Sequence, residues 1–405
     1  MSDSEDYQDF EDDDEFETAS DHSSAEEGSK ELPSHIEEQF IIRDLDTGRV
    51  INLLEDSATE NLAAPLTRIS QLREISKTPV SPIIPGRRIP VSKKGIRAPV
   101  ITAIQELQTI REHVGPVWSL ARSADSSQIA SGGRDQILRI WDVGNIITPA
   151  STHIGHTADI LDITWSTGGR LITASSDGTA RLWTAGQEGP VETLAHPAHV
   201  MSADIHPADP QCVVTASADG VVRLIDVGSK RVLAKGAAPG MPTVVRFCPS
   251  GGRVVVGTVT GHLKVLDGAS LAPLASWAKQ SAGCVAGLVV PDDNTIIASS
   301  GDSRIRVFSG DTFICRQTYA GHSTKTTVAR PSVSADGRLL CSGSDKASVF
   351  MWPMNSGVKG CLRFRIDGPA VSTILLGNPT DEMGGVMLVT GDEDGTMRLF
   401  GRGSV

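Results

Sequence analysis

Gly155 to Trp183 reads GHTADILDITWSTGGRLITASSDGTARLW. Inside it LDITW, RLITAS and TARLW are apolar runs of strand length, separated by Gly-rich or Asp-Gly turns. The stretch therefore predicts a three-stranded antiparallel meander. One such meander cannot bury both of its faces, so copies of it should recur.

With the turn acid Asp177 as ruler, the position returns as Asp135, Asp219, Asp302, Asp345 and Asp394, and Thr260 stands between Asp219 and Asp302. The steps are 42, 42, 41, 42, 43 and 49 residues. Six residues after six of these marks lies a bulky apolar residue that ends a strand: Trp141, Trp183, Ile225, Leu266, Phe308 and Phe400. In the Asp345 copy Trp352 comes one residue late, which predicts a bulge. Copies with two apolar faces are covered by radial stacking of about seven blades, which leaves a narrow central channel. The last copy stops at Phe400 without an outer strand, while Val100 to Arg111 (VITAIQELQTIR) has strand character ahead of the first. Pairing of that segment with Thr396 to Phe400 would seal the ring with residues from both sides.

The period, the Gly-His opening and the Trp or Trp-Asp closing resemble the WD-repeat (WD40) family, over Gln105 to Phe400. The resemblance implies an all-β, seven-bladed WD40 β-propeller over residues 100–405. It also implies a hydrogen-bonded chain of His, Ser or Thr, turn Asp and closing Trp within a blade. By position this falls on His113, Ser131, Asp135 and Trp141, and on His156, Thr173, Asp177 and Trp183. His196, Thr215 and Asp219 match without the Trp; His322, Asp345 and Trp352 match with Cys341 in the hydroxyl's place. These histidines are expected to be scaffold.

The net charge of -12 belongs to an appendage. Residues 1–35 hold fourteen Asp and Glu against one Lys. They are Ser-rich and poor in aliphatic residues, so a disordered acidic tail is expected, and nucleic-acid binding gains no support. No uncharged run exceeds the 16 residues from Val143 to Ala158, so no membrane span is expected. Six cysteines stand singly, mostly on expected strands, which suits a reduced cytosolic protein with buried thiols. His153 with His156 and His196 with His199 have ligand-like spacing but lack a nearby Glu or Cys. No phosphate-cradling loop, nucleophile elbow or Cys-His pairing occurs, so no metal, cofactor or catalysis is expected. Basic residues recur once per blade at Arg139, Arg181, Arg223, Lys264, Arg306 and Arg398, which reads as repeat positions with packed stems.

Ahead of the ring, residues 36–76 carry FIIRDLDTGRVINLL (Phe40 to Leu54), which alternates around an Asp-Thr-Gly turn and predicts a hairpin. PLTRISQLREI follows with helical spacing that puts Leu66, Ile69, Leu72 and Ile75 on one side. Sheet edges and an apolar helix face need a cover, from the propeller or from a partner. Residues 77–99 hold six basic residues, five prolines and no acid, and predict an extended linker.

Inside the tail, Glu15, Phe16, Thr18, Ala19 and Asp21 follow the acid block Glu11 to Asp14. This is similar to the FFAT motif, by which cytosolic proteins hold VAP receptors on the endoplasmic reticulum. Thr18 stands where the motif has Asp, and phosphorylation would supply that charge. The segments DLDTG, EHVGPVW, GHTADILDITW, SGDSRIRVF and SGSDK, in this order, resemble the WD-repeat-44 (rabphilin-eleven) family. That family consists of effectors of the recycling-endosome Rab GTPase, with an FFAT-type motif, a Rab-binding region that includes the DLDTG stretch, and a C-terminal propeller. The resemblance implies a non-catalytic scaffold in vesicle traffic. Rab binding would fall within Phe40 to Ile75, with Phe40, Ile42, Leu45 and Leu53 as candidate GTPase contacts. The site would be cytoplasmic, peripheral to endosomal or Golgi/ER membranes, with membrane contact only through partners such as the Rab and VAP. Vertebrate members also carry a long Pro-rich region and an insertion after the first blade, which Asp142 to Thr152 does not supply. The alternative is a ubiquitin-ligase substrate receptor or another generic WD40 interaction platform; the receptor is weakened because Trp141-Asp142-Val143-Gly144 lacks the Arg that such receptors often bear.

Overall fold

The computed structural model describes residues 41–43, 50–52, 104–144, 146–277, 283–327, 329–354, 361–377 and 386–402. The described elements are all strands, arranged in seven antiparallel sheets. The second sheet shows the pattern. Ile160–Trp165, Arg170–Ser175, Thr179–Thr184 and Glu192–Ala195 lie side by side in chain order from the channel outward. Arg170–Ser175 is buried at every position after the first, so both of its faces are covered, and β-branched residues fit the pleated surface.

The inner strand of each sheet contacts that of the next, and the inner strand Val371–Leu376 of the last contacts Val117–Arg122 of the first. The ring is therefore a closed seven-bladed β-propeller. Seven apolar clusters fill it, one at each junction between consecutive blades. At the first junction, for example, Ala130, Leu138 and Ile140 pack on Ile160, Ile163, Leu171 and Trp183. Close approach of neighbouring blades requires small residues at the end of the second strand. A Cβ on Gly257 would sit 2.5 Å from Val285 Cγ1 of the next blade, and one on Gly343 would sit 2.8 Å from Val371 Cγ1.

The ring is sealed by a segment that precedes the first blade. Ile104–Ile110 pairs antiparallel with Met397–Arg402, from Ile104 opposite Arg402 to Ile110 opposite Met397. A side-chain amide fastens this strand to the first blade: Gln108 Nε2 donates to Ile147 O at 3.0 Å and Ile147 N–H donates to Gln108 Oε1 at 2.9 Å. Ser372 Oγ donates to Val117 O at 2.6 Å across the same junction.

A second pre-propeller segment joins the sixth blade. Ile41–Arg43 pairs antiparallel with Val50–Asn52, as expected of a hairpin there. Ile41 and Ile42 also lie opposite Arg363 and Leu362, so the sixth sheet has six strands. One hairpin edge is thus covered by the ring. The helical stretch around Leu66 to Ile75, the acidic tail and the basic linker lie outside the described residues.

Candidate functional site

Four hydrogen-bonded blade chains are expected from the sequence, and the structure completes two. In the first blade Trp141 Nε1–H donates to Ser131 Oγ at 2.8 Å, the Ser131 hydroxyl reaches His113 Nε2 at 2.7 Å, and His113 Nδ1 reaches Asp135 at 2.9 Å. The second repeats this through Trp183, Thr173, His156 and Asp177 at 2.9, 2.6 and 2.7 Å. A neutral imidazole with its proton on Nδ1 satisfies every link. Burial works against ionisation of Asp135, but the bonds from His113 and Arg139 outweigh it and hold its carboxyl down to about 2. Asp177 is likewise held to about 2, by Thr179 and His156 against the cost of burial.

The once-per-blade arginines have a task beyond packing. Arg139, Arg223 and Arg306 pair with the turn acid four residues earlier, Asp135, Asp219 and Asp302 respectively. In the third blade this ends the chain early. His196 Nε2 meets Thr215 Oγ1 at 2.8 Å, but His196 Nδ1–H donates to Leu194 O at 3.1 Å and Asp219 is taken by Arg223.

The fourth expected chain, on His322, Cys341, Asp345 and Trp352, does not form. The strand register corrects its assignment. Trp141 lies opposite Ile129 and Trp183 opposite Leu171, each two residues before the bonding hydroxyl of Ser131 or Thr173. Trp352 lies opposite Leu340, so the equivalent residue is Ser342. Cys341 faces the other way, among Val349, Met351 and Val371. The turn mark shifts too. The residue after each mark has positive φ: Gln136, Gly178, Gly220, Gly261, Ser303 and Gly395; here it is Ala347. The sixth mark is therefore Lys346, Trp352 follows it by six, and the register between these strands runs without a bulge. Asp345 instead gathers the loop before the inner strand, accepting from Ser323 Oγ at 3.0 Å and from the backbone N–H groups of Lys325, Thr326 and Thr327. Among the described residues, neither ring nitrogen of the buried His322 has a hydrogen-bond partner, and neither does Trp352 Nε1. Burial pushes the His322 pKa down to about 4.

The inner strands carry a second constellation, which the sequence reading missed. Asp162, with no exposed side-chain surface, is held by two arginines that reach it across the channel from the fourth and sixth blades. Arg246 grips both carboxylate oxygens, at 2.7 and 3.0 Å, and Arg330 Nη1 donates to Oδ1 at 2.5 Å. Ser202 Oγ adds a further bond. Burial would keep Asp162 neutral, but the two guanidiniums overcome it and hold its pKa well below the usual range. Asp204 has no such partner pair. It accepts from the backbone N–H groups of Phe247 and Ile205, and burial raises it to about 6 against the pull of Arg246. Arg246, Arg330 and Asp204 border a central cavity of about 470 Å³, which Leu120, Ile163, Leu288 and Ile374 also line. An Asp inside ILDITW and an Arg inside VVRF, charges within apolar inner strands, were the available signal.

Of the candidate partner contacts, Ile42 lies in the hairpin strand that joins the sixth blade. Phe40, Leu45 and Leu53, and Glu15, Phe16, Thr18, Ala19 and Asp21, lie outside the described residues. The paired histidines do not converge on a site. His153 bonds Ser151 Oγ and His156 serves its blade chain, and among the described residues no group of His, Cys, Asp and Glu is placed to hold a metal ion. Cys248, Cys341 and Cys361 are buried as expected, whereas Cys315 is exposed. No helix among the described residues is long and apolar enough to cross a membrane.

Comparison with known proteins matches the WD domain, G-beta repeat family at residues 104–142, 147–184, 189–226 and 313–353. The chain is 25% identical over 317 residues to WD repeat-containing protein 44 of Xenopus laevis, covering 62% of this chain and 34% of that one. An uncharacterised WD repeat-containing protein of Schizosaccharomyces pombe is 26% identical over 278 residues, covering 58% and 47%. The ribosome biogenesis protein ytm1 of Neurospora crassa is 26% identical over 298 residues, covering 69% and 58%. The chain thus spans between about a third and three fifths of these relatives' length.

Proposed function

We propose, from the premise that the chain is a WD40-repeat protein and its ring an interaction platform, that it acts as a non-catalytic effector in vesicle traffic. Its pre-propeller region binds a Rab-family small GTPase of the recycling-endosome type, and the tail motif around Phe16 holds VAP when Thr18 is phosphorylated. What supports this reading is the similarity to WD repeat-containing protein 44, together with the matching order of tail motif, DLDTG hairpin and propeller. The hairpin's place on the sixth blade adds a physical reason. A partner that grips it is fixed to a rigid ring instead of to a loose tether, which lowers the ordering cost of binding.

On this reading the protein resides in the cytoplasm and meets endosomal or Golgi/ER membranes only through its partners. GTPase switches are ordered by the γ-phosphate, so an effector distinguishes the two nucleotide states. The full chain should bind Rab loaded with a GTP analogue more tightly than Rab loaded with GDP, and Leu45→Ala with Leu53→Ala should weaken it. Equal or absent binding in the two states would sink the reading. A phosphorylated peptide of residues 8–24 should bind VAP where the unphosphorylated one binds weakly.

A further inference from the structure

One inner-strand position recurs around the ring, and its occupants are uneven. Ser119, Asp162, Ser202, Val244, Gly287 and Thr373 take equivalent places, each opposite the residue that follows the bonding hydroxyl position on the second strand. Arg330 holds the corresponding place in the sixth blade, just ahead of Ser332–Val333. Charged side chains occupy two of these places, Asp162 and Arg330.

Arg330 does not exhaust itself on Asp162. Nη1 donates to Asp162 Oδ1 and Nη2 donates to Leu161 O, and among the described residues the Nε–H and the second hydrogen of each terminal nitrogen have no partner. Its side chain retains 19% exposure and borders the cavity. Asp162 is shared between two guanidiniums, and the only carboxylate among the described residues that line the cavity is Asp204. The volume of about 470 Å³ lies within the range of small-ligand sites.

We propose that the central channel is an oxyanion-binding site, in which Asp162 holds the Arg330 guanidinium in place and Arg330 presents its remaining donors to a carboxylate or phosphate group. Planar, forked donors suit both groups. Asp162 is a positioning residue, and Asp204 opposes the incoming charge from the same cavity.

Titration calorimetry of the full chain tests this, with sodium pyrophosphate and a hexaglutamate peptide as probes. Binding of both shows that the oxyanion itself is recognised; binding of pyrophosphate alone identifies a small phosphate as the source, and of the peptide alone an acidic segment. Arg330→Gln should weaken the bound probe at least ~10-fold. Arg330→Lys, which keeps the charge and loses the fork, should fall between. Asp204→Asn keeps the shape and removes the opposing charge, so it should tighten binding by about threefold or more. Its gain has the opposite sign to general damage, and it stands even if Arg330→Gln fails to fold. Arg338→Gln on the surface is the control. No binding of either probe, or Asp204→Asn binding no tighter than wild type, overturns the proposal.

Discussion

Lys346 occupies the turn position that carries Asp135, Asp177, Asp219, Asp302 and Asp394 in five other blades. Replacing it with Asp should therefore restore a missing link. His322 sits against Trp352 with ring centroids 5.5 Å apart, close to the 6.0 Å of His156 and Trp183 in a complete chain, yet both of its nitrogens lack a partner. An Asp at 346 would offer a carboxylate to His322 Nδ1–H and accept the backbone N–H two residues on, as Asp177 does from Thr179 N at 2.9 Å. A buried bond to a charged group contributes about 1.5–3 kcal/mol. Against that stand partial desolvation of the new carboxylate and its proximity to Asp345, so a net gain of about 1 kcal/mol is expected. In a ring of this size that corresponds to roughly 2 °C in Tm. The assay is urea and thermal unfolding of Lys346→Asp beside Lys346→Ala, with the His322 pKa followed by NMR. That pKa, held down to about 4 by burial, should rise as the carboxylate favours the imidazolium. If Lys346→Asp were no more stable than Lys346→Ala and His322 did not move, the register-based assignment of the sixth blade would be wrong.

Thr173→Val should cost about 2–4 kcal/mol in chemical unfolding, because it strands His156 Nε2 and Trp183 Nε1 in the core, whereas Thr157→Val at an exposed position should be near neutral. Asp204 and Asp135 should give opposite pH signatures. The folded pKa of Asp204 is raised to about 6, so its contribution grows as pH falls from above 6 toward the ordinary carboxylate range, and Asp204→Asn should stabilise most at pH 8 and little at pH 4. The folded pKa of Asp135 is lowered to about 2, so its contribution is present above about 4 and is lost as pH falls toward 2; stability curves of Asp135→Asn should show this loss. Deletion of residues 1–112 removes Ile104–Ile110 and the Gln108 clasp, and should lower the melting temperature or make the protein insoluble; an unchanged melting curve would contradict the seam.

The repeat count and the blade chains of the first two copies were legible because each depends on residues within one copy, at fixed offsets along a regular chain. The sixth copy was misread for a definite reason. Asp345 and Lys346 are adjacent, and a spacing of 43 or 44 residues cannot say which of them stands at the turn; the strand register and the positive φ of Ala347 can. The channel cluster left only faint marks. Asp162 meets Arg246 and Arg330 at separations of 84 and 168 residues, and closure of the ring is what makes them neighbours. The DLDTG turn announced a hairpin, but a two-stranded unit carries no local information about which sheet it will extend.

The pairing of Ile104–Ile110 with Met397–Arg402 also sets a timetable for biosynthesis. A ribosome makes the first of these strands almost three hundred residues before the second, an interval of about 15–60 s at typical elongation rates. Throughout that interval the opening blade emerges with its seam-side apolar surface bare, since the residues that cover it, Val389, Met397 and Leu399, do not yet exist. That face stays open to solvent until the closing strand has been made.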